Sequence, residues 1–197
     1  MEKLIRVNNS DAYSIDFEPV FRMMNDELSI AGESLDLICA GGYVLQLCGL
    51  RGTADIDAFY KTNAVIDSII RKVGEVFGLN KPDELWLNNS VSNMNKEPPE
   101  EYCETVHRFS HLIVKAVDLL YLMGMKFISA RGQDIKDLTE IVKNNKDLQP
   151  FELLPRLFEM GFNIDIAILL DVFEGARGME WLDDFYRENE VELSKYF

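Results

Sequence analysis

Ala40 to Tyr60 reads AGGYVLQLCGLRGTADIDAFY, and the order of its glycines and aspartates decides the fold. Just before it, Leu35 to Ala40 (LDLICA) is a short apolar run ending at Gly41-Gly42, the pattern of a buried strand that enters a tight turn. Tyr43 to Gly49 then suits a short helix starting at the glycines. Ala54 to Tyr60 alternates acidic and apolar residues, the period of two that sets Asp55 and Asp57 on one face of a strand. A glycine pair at a strand end lets backbone come close to a ligand, and N–H groups opening the next helix favour an anion. Two carboxylates so placed repel each other until a cation neutralises them. Mg²⁺ suits that role, because it binds through one or two carboxylates together with substrate phosphates. Taken singly, a glycine pair is also an ordinary turn and Asp-x-Asp an ordinary solvated strand face. Taken in order, strand, glycines, helix, Arg51, Thr53 and aspartates would set a phosphate cradle beside metal carboxylates, as nucleotide chemistry needs.

These residues carry a resemblance. Gly41-Gly42, Gly49-Leu50-Arg51-Gly52-Thr53 and Asp55-Ile56-Asp57 resemble the GG…DhD signature of the nucleotidyltransferase superfamily. The nearest likeness is to small bacterial nucleotidyltransferase-like proteins related to abortive-infection toxins of the toxin–antitoxin type. Downstream, Lys126, Arg131, Asp134 and Asp137 in MKFISARGQDIKDL are similar to a K-x4-R-x2-D-x2-D segment of that group. The resemblance implies an α/β (α+β) fold, a mixed sheet flanked by helices with a C-terminal helical extension. It implies that Gly41 and Gly42 contact a nucleoside triphosphate, that Asp55 and Asp57 are catalytic and hold Mg²⁺, and that Arg51 and Thr53 assist with phosphate. Lys126 would lie near the nucleotide phosphates. A nucleoside monophosphate would pass to a hydroxyl on a protein or RNA acceptor, with an antitoxin as the cognate partner.

The residues themselves leave alternatives open. Arg51 also reads as a surface arginine and Thr53 as a strand-start threonine. Lys126, Arg131 and the two aspartates also read as an ion-pair network joining two helices, since Arg131 can meet Asp134 three residues on. The chain departs from the superfamily at the third carboxylate, which active members supply from a later strand. Glu104 and Asp118 are the candidates, and Asp118, at a strand-to-helix junction, reads equally well as a helix N-cap. That departure keeps open a catalytically degenerate nucleotide-binding or protein-interaction module of the same fold.

Outward from this stretch, helical spacing of apolar residues predicts helices over Ser14–Ala31, Ala64–Phe77, Leu119–Ala130 and Asp134–Asn144, and HLIVKAV (His111–Val117) reads as a strand. Lys81–Glu101, rich in Pro and Asn, reads as a loop with a small element near Trp86-Leu87. From Phe151 on, two or three short amphipathic helices break around 161–163 and 175–178. The expected organisation is a nucleotidyltransferase-like domain over 1–148 with a helical extension over 149–197. An acidic helical tail docking a basic surface is the expectation for a purely structural or regulatory protein.

The 34 acidic residues against 20 basic ones give a charge of −14, which disfavours broad DNA or RNA binding. Three cysteines, Cys39, Cys48 and Cys103, lack CxxC spacing and predict reduced, buried thiols in a cytoplasmic protein. No apolar run approaches the roughly 20 residues that span a bilayer, and MEKLIRVNNSDAYS lacks the apolar core of a secretory signal, so no membrane association is expected. His107 and His111 stand four apart, but no cysteine or carboxylate completes a zinc set.

Overall fold

The computed structural model describes residues 14–93, 96–194 and 196. The N-terminal stretch read above for a signal lies, but for Ser14, outside them. The described chain falls into two compact units, one running up to Leu122 and the other from Met123 onward.

The first unit is an α/β layer. Helix α1 (Glu18–Ala31) carries a proline near its start and stops at Gly32, whose left-handed φ of 68° lets its N–H return to the last turn. Strand β1 (Leu35–Cys39) is buried apart from Asp36, and near-continuous burial marks a central strand. Helix α2 (Gly41–Leu47) follows at once, and β2 (Ile56–Phe59) runs back antiparallel to β1, with Cys39 opposite Ala58. Helix α3 (Ala64–Val76) begins at Asn63, whose side chain accepts from the Val65 and Ile66 N–H groups. The short β3 (Leu87–Asn88) then pairs parallel with β2. Strands β4 (Cys103–Arg108) and β5 (Leu112–Val117) form an antiparallel pair, and β5 lies parallel to β1. The mixed sheet thus runs β3-β2-β1-β5-β4, which makes the fold an α/β mixture.

On one face α1 and α3 pack together and bury Phe21, Met24, Leu28, Ile70 and Val73 against Leu37, Ile56, Leu87 and Leu112. Trp86 closes this core and donates its indole N–H to the Ile70 carbonyl at 2.9 Å, so its one polar atom is satisfied.

Helix α4 (Leu119–Ser129) runs across the division between the units. In the second unit, α5 (Gly132–Asn144) packs on α7 (Ile166–Arg177), with α6 (Pro150–Glu159), α8 (Met179–Glu188) and the short α9 (Glu190–Leu193) completing a helical layer. Arg177 lies 4.9 Å from the ring centres of both Phe173 and Trp181 and anchors the α7 end.

One expectation is corrected. The strand expected over Ala54–Tyr60 is confined to Ile56–Phe59, so Asp57 is a strand residue and Asp55 precedes the strand by one. The strand β4 was not legible, because an edge strand with polar residues on both faces has no clean alternation. The two compact units divide after Leu122, and α5 buries Leu138, Ile141 and Val142 in the C-terminal helical layer. No helix among the described residues is long and apolar enough to cross a membrane.

Candidate functional site

The turn from β1 into α2 and the approach to β2 converge. The Ala40 N–H donates to the Asp57 carbonyl at 2.8 Å, which continues the β1–β2 pairing to the glycines. Gly41 has φ 58°, and a Cβ built on it would fall 2.6 Å from Asp57 Oδ2. Both the left-handed backbone and the missing side chain are therefore needed for the Asp57 carboxylate to lie against this turn. A Cβ on Gly42 would fall 2.6 Å from the Thr53 hydroxyl and 3.2 Å from an Arg51 guanidinium nitrogen. The bare glycine backbone thus forms one wall, and the side chains of Arg51, Thr53 and Asp57 lie directly over it.

The loop between α2 and β2 is held by Gln46. Its Oε1 accepts from the Thr53 N–H at 3.0 Å, and its Nε2 donates to the Ile15 carbonyl at 2.7 Å. So positioned, the Thr53 hydroxyl lies 3.0 Å from both the main-chain carbonyl and Oδ1 of Asp55, to which it can donate in turn. Arg51 donates to the Gly52 carbonyl at 3.2 Å. The other Asp55 oxygen, Oδ2, receives the Lys81 ammonium at 2.8 Å, and Lys81 also reaches Glu84 Oε2 at 3.0 Å.

Burial works to raise the Asp55 carboxyl, but hydrogen bonds from Lys81 and Thr53, with the charges of Lys81 and Arg51, outweigh it and hold the group below the usual carboxylate range. The hydrogen bonds to Asp55 and Glu84 hold the Lys81 ammonium above its ordinary value. Beneath the site, burial first and the Asp57 charge second push the Cys39 thiol well up, so this cysteine is an inert core group.

On β3, Asn88 stands in register with Asp57. The preceding pair, Ile56 and Leu87, is fully buried, so the parallel register sends Asp57 and Asn88 to the opposite face of the sheet together. The Ser90 N–H donates to Asn88 Oδ1 at 3.1 Å, which fixes the amide orientation, and the Asn88 Nδ2 is buried without a hydrogen-bond partner. An orphaned donor beside Asp57 is a feature of a binding site more than of a finished core.

Asp55 and Asp57 thus face a wall of glycine backbone, a hydroxyl, a guanidinium and an ammonium. Among the described residues no three of His, Cys, Asp and Glu stand together to hold a metal. A hard divalent cation that completes its octahedron with water and phosphate needs only one or two carboxylates, so the donor set fits Mg²⁺ arriving with a ligand better than a protein-made cage.

Gly41, Gly42, Arg51, Thr53, Asp55 and Asp57 are therefore brought together. Lys126 belongs to another cluster, in the second unit. Its ammonium is buried and donates to Asp134 Oδ1 at 2.9 Å and Asp137 Oδ2 at 2.7 Å, while Arg131 and Ser129 also bind Asp134 and Gln133 binds Asp137. This is the ion-pair network that the helical spacing allows. Neither candidate for a third carboxylate stands beside Asp57. Glu104 is on β4, three strands from β2, and Asp118 caps α4 by accepting the Leu120 N–H at 2.7 Å. The two histidines sit on the β4–β5 hairpin. His107 packs on the Phe21 and Phe109 rings, and His111 Nδ1 lies 2.9 Å from the Glu33 carbonyl.

Sequence reasoning missed Lys81, Asn88 and Gln46. Lys81 and Asn88 reach the site across the loop that follows α3, and no local pattern announces a contact of that kind. Gln46 had a weak signal, as the polar residue inside an otherwise apolar short helix. No family model matches the chain, and no curated protein or solved structure matches it either.

Proposed function

We propose that the protein is a Mg²⁺-dependent nucleotidyltransferase that moves a nucleoside monophosphate from a nucleoside triphosphate to a hydroxyl of a protein or RNA. The observation that carries this reading is the fit of Gly41 to Asp57, where a backbone of φ 58° and a space too small for a Cβ press a strand carboxylate onto a glycine turn. A solvated strand face needs no such fit. A site where a carboxylate and bare backbone must act on one ligand does.

In this reading the glycine backbone and the Arg51, Thr53 and Lys81 side chains bind and orient the phosphates. Asp55 and Asp57 would hold the metal. Mg²⁺ when bound would offset charge developing on the transferred phosphoryl group and its leaving group. The acceptor oxygen forms a bond to the α-phosphorus, the bond from that phosphorus to the bridging oxygen breaks, pyrophosphate leaves with the electron pair, and the hydroxyl proton passes to solvent. A genetic pairing with an antitoxin belongs to the same proposal through the resemblance, and a location in the cytoplasm through the three cysteines that lack CxxC spacing.

A second reading is favoured by Asn88. The position in register with Asp57 carries an amide, which neither takes a proton nor bears charge, so nucleotide binding without transfer is the alternative. Calorimetric titration of each nucleoside triphosphate with Mg²⁺ into the wild type and into Asp55→Ala/Asp57→Ala tests the site. The expected result is metal-dependent binding that the double variant loses. Labelled-nucleotide transfer then separates enzyme from binding module, and absence of any nucleotide binding would sink both.

A further inference from the structure

We propose that Lys81, rather than Lys126, supplies the positive charge for the ligand's phosphate oxygens, and that in the ligand-free protein its ammonium is the counter-ion of Asp55. The inference rests on the reading of the Asp55/Asp57 site as a nucleotide site.

The two lysines differ in what they are free to do. The Lys126 side chain is 7% exposed between carboxylates that are 3% and 2% exposed. Turning it toward a ligand would take the shared cation from two buried carboxylates. The Lys81 side chain is 49% exposed, and its partner Asp55 is 30% exposed. Its main chain is tied down, since the Lys81 N–H donates to the Glu84 carbonyl at 2.9 Å. A fixed backbone with a solvated ammonium on a four-carbon stem is a short tether whose charged end can change partners at little cost.

The Asp55 carboxylate explains why it should. Thr53 lies at Oδ1, and Lys81 donates to Oδ2. A divalent cation coordinating Oδ2 at about 2.1 Å would lie no more than about 5 Å from the ammonium, which is 2.8 Å from the same oxygen, and the two like charges repel at that range. With a metal held at Asp55, the Lys81 ammonium would be released from Oδ2. Phosphate oxygens brought by the metal offer the released ammonium a new partner at the same place, and lysine binds phosphate as a mobile point charge.

Lys81 thus opposes the metal alone and supports the metal together with phosphate, and its removal moves the two affinities in opposite directions. An ion pair whose ammonium did not pass to phosphate would move both affinities in the same direction, toward tighter binding. The probes are Mn²⁺ alone and Mn²⁺ with inorganic tripolyphosphate, followed by electron paramagnetic resonance on the full chain for wild type, Lys81→Ala, Lys81→Arg and Asp55→Ala. Lys81→Ala is expected to bind Mn²⁺ alone about threefold more tightly, the scale of an exposed ion pair. It should bind Mn²⁺–tripolyphosphate about tenfold or more weakly, as for a lost charge-assisted bond. Lys81→Arg should retain most of the tripolyphosphate affinity. If wild type binds Mn²⁺ in an Asp55-dependent way and Lys81→Ala changes neither affinity or tightens both, the proposal for Lys81 is overturned while the site stands. If wild type takes up neither probe, or Asp55→Ala leaves uptake unchanged, the nucleotide reading fails and Lys81's role with it.

Discussion

Gly41 and Gly32 make a natural experiment in what one hydrogen atom in place of a methyl group can do. Both have left-handed backbones, with φ of 58° and 68°, but a Cβ on Gly32 would meet nothing within 4 Å, whereas one on Gly41 would meet the Asp57 carboxylate. Gly32→Ala should cost only the backbone strain, roughly 1–2 kcal/mol in urea unfolding, and leave ligand binding intact. Gly41→Ala should cost at least as much and also abolish metal-dependent nucleotide binding. Equal binding by the two variants would show that the fit at Gly41 is incidental. At Asn88 the change is one of charge. Asn88→Asp sets a third carboxylate in register with Asp57 and should tighten Mn²⁺ binding in the absence of nucleotide by about tenfold, read by the same resonance titration. The glycines and aspartates were legible because their chemistry is local and ordered along the chain. Asn88 and Lys81 were not, since an asparagine among several in a loop becomes a site residue only through strand register.

Elements were legible in proportion to their burial contrast. The helix over 64–76, with its Asn63 cap, apolar stripe and closing glycine, matches its expected span almost to the residue. The strand β4 was hidden because an edge strand has too little buried face to write a period of two into the sequence. The link between α4 and α5 shows the same limit in electrostatics, since spacing allowed an ion-pair network without showing that it is buried. Its consequences are testable. Lys126→Met leaves Asp134 and Asp137 without their shared cation and should cost about 3–5 kcal/mol, measured as a fall in the urea midpoint. Burial raises the Asp134 carboxyl, but Arg131, Lys126 and Ser129 overcome this and bring it down to about 2. A folded pKa below the unfolded value of about 3.9 means stabilisation that is complete above that value and lost as pH falls toward 2. The contribution is about 2 kcal/mol, so Asp134→Asn should flatten the acid limb of the stability curve between about pH 4 and 2.

For the whole molecule, the surplus of 34 acidic over 20 basic residues sets the field that any partner meets. The protein should pass unretained through a phosphocellulose column at about 0.1 M salt, whereas Mn²⁺ uptake should weaken as salt rises through the Debye range. Retention on the polyanion would mean that a local basic surface overrides the mean charge. Net charge was fully legible in the sequence. The division after Leu122 has no such signal, because α5 joins the C-terminal helices through residues that look alike on either side of any cut.

The sheet order has a further consequence, for the order of events during synthesis. Strand β1 finds β2 a short way downstream, so the glycine turn and both aspartates can meet early and at small loop-closure cost. On its other edge β1 must wait for β5, which the ribosome delivers only after α3, β3 and β4. Until then the central strand of the sheet offers a bare row of N–H and C=O groups to any neighbouring chain. Nascent chains halted before residue 112 should therefore be aggregation-prone, and chains carried past residue 117 should not.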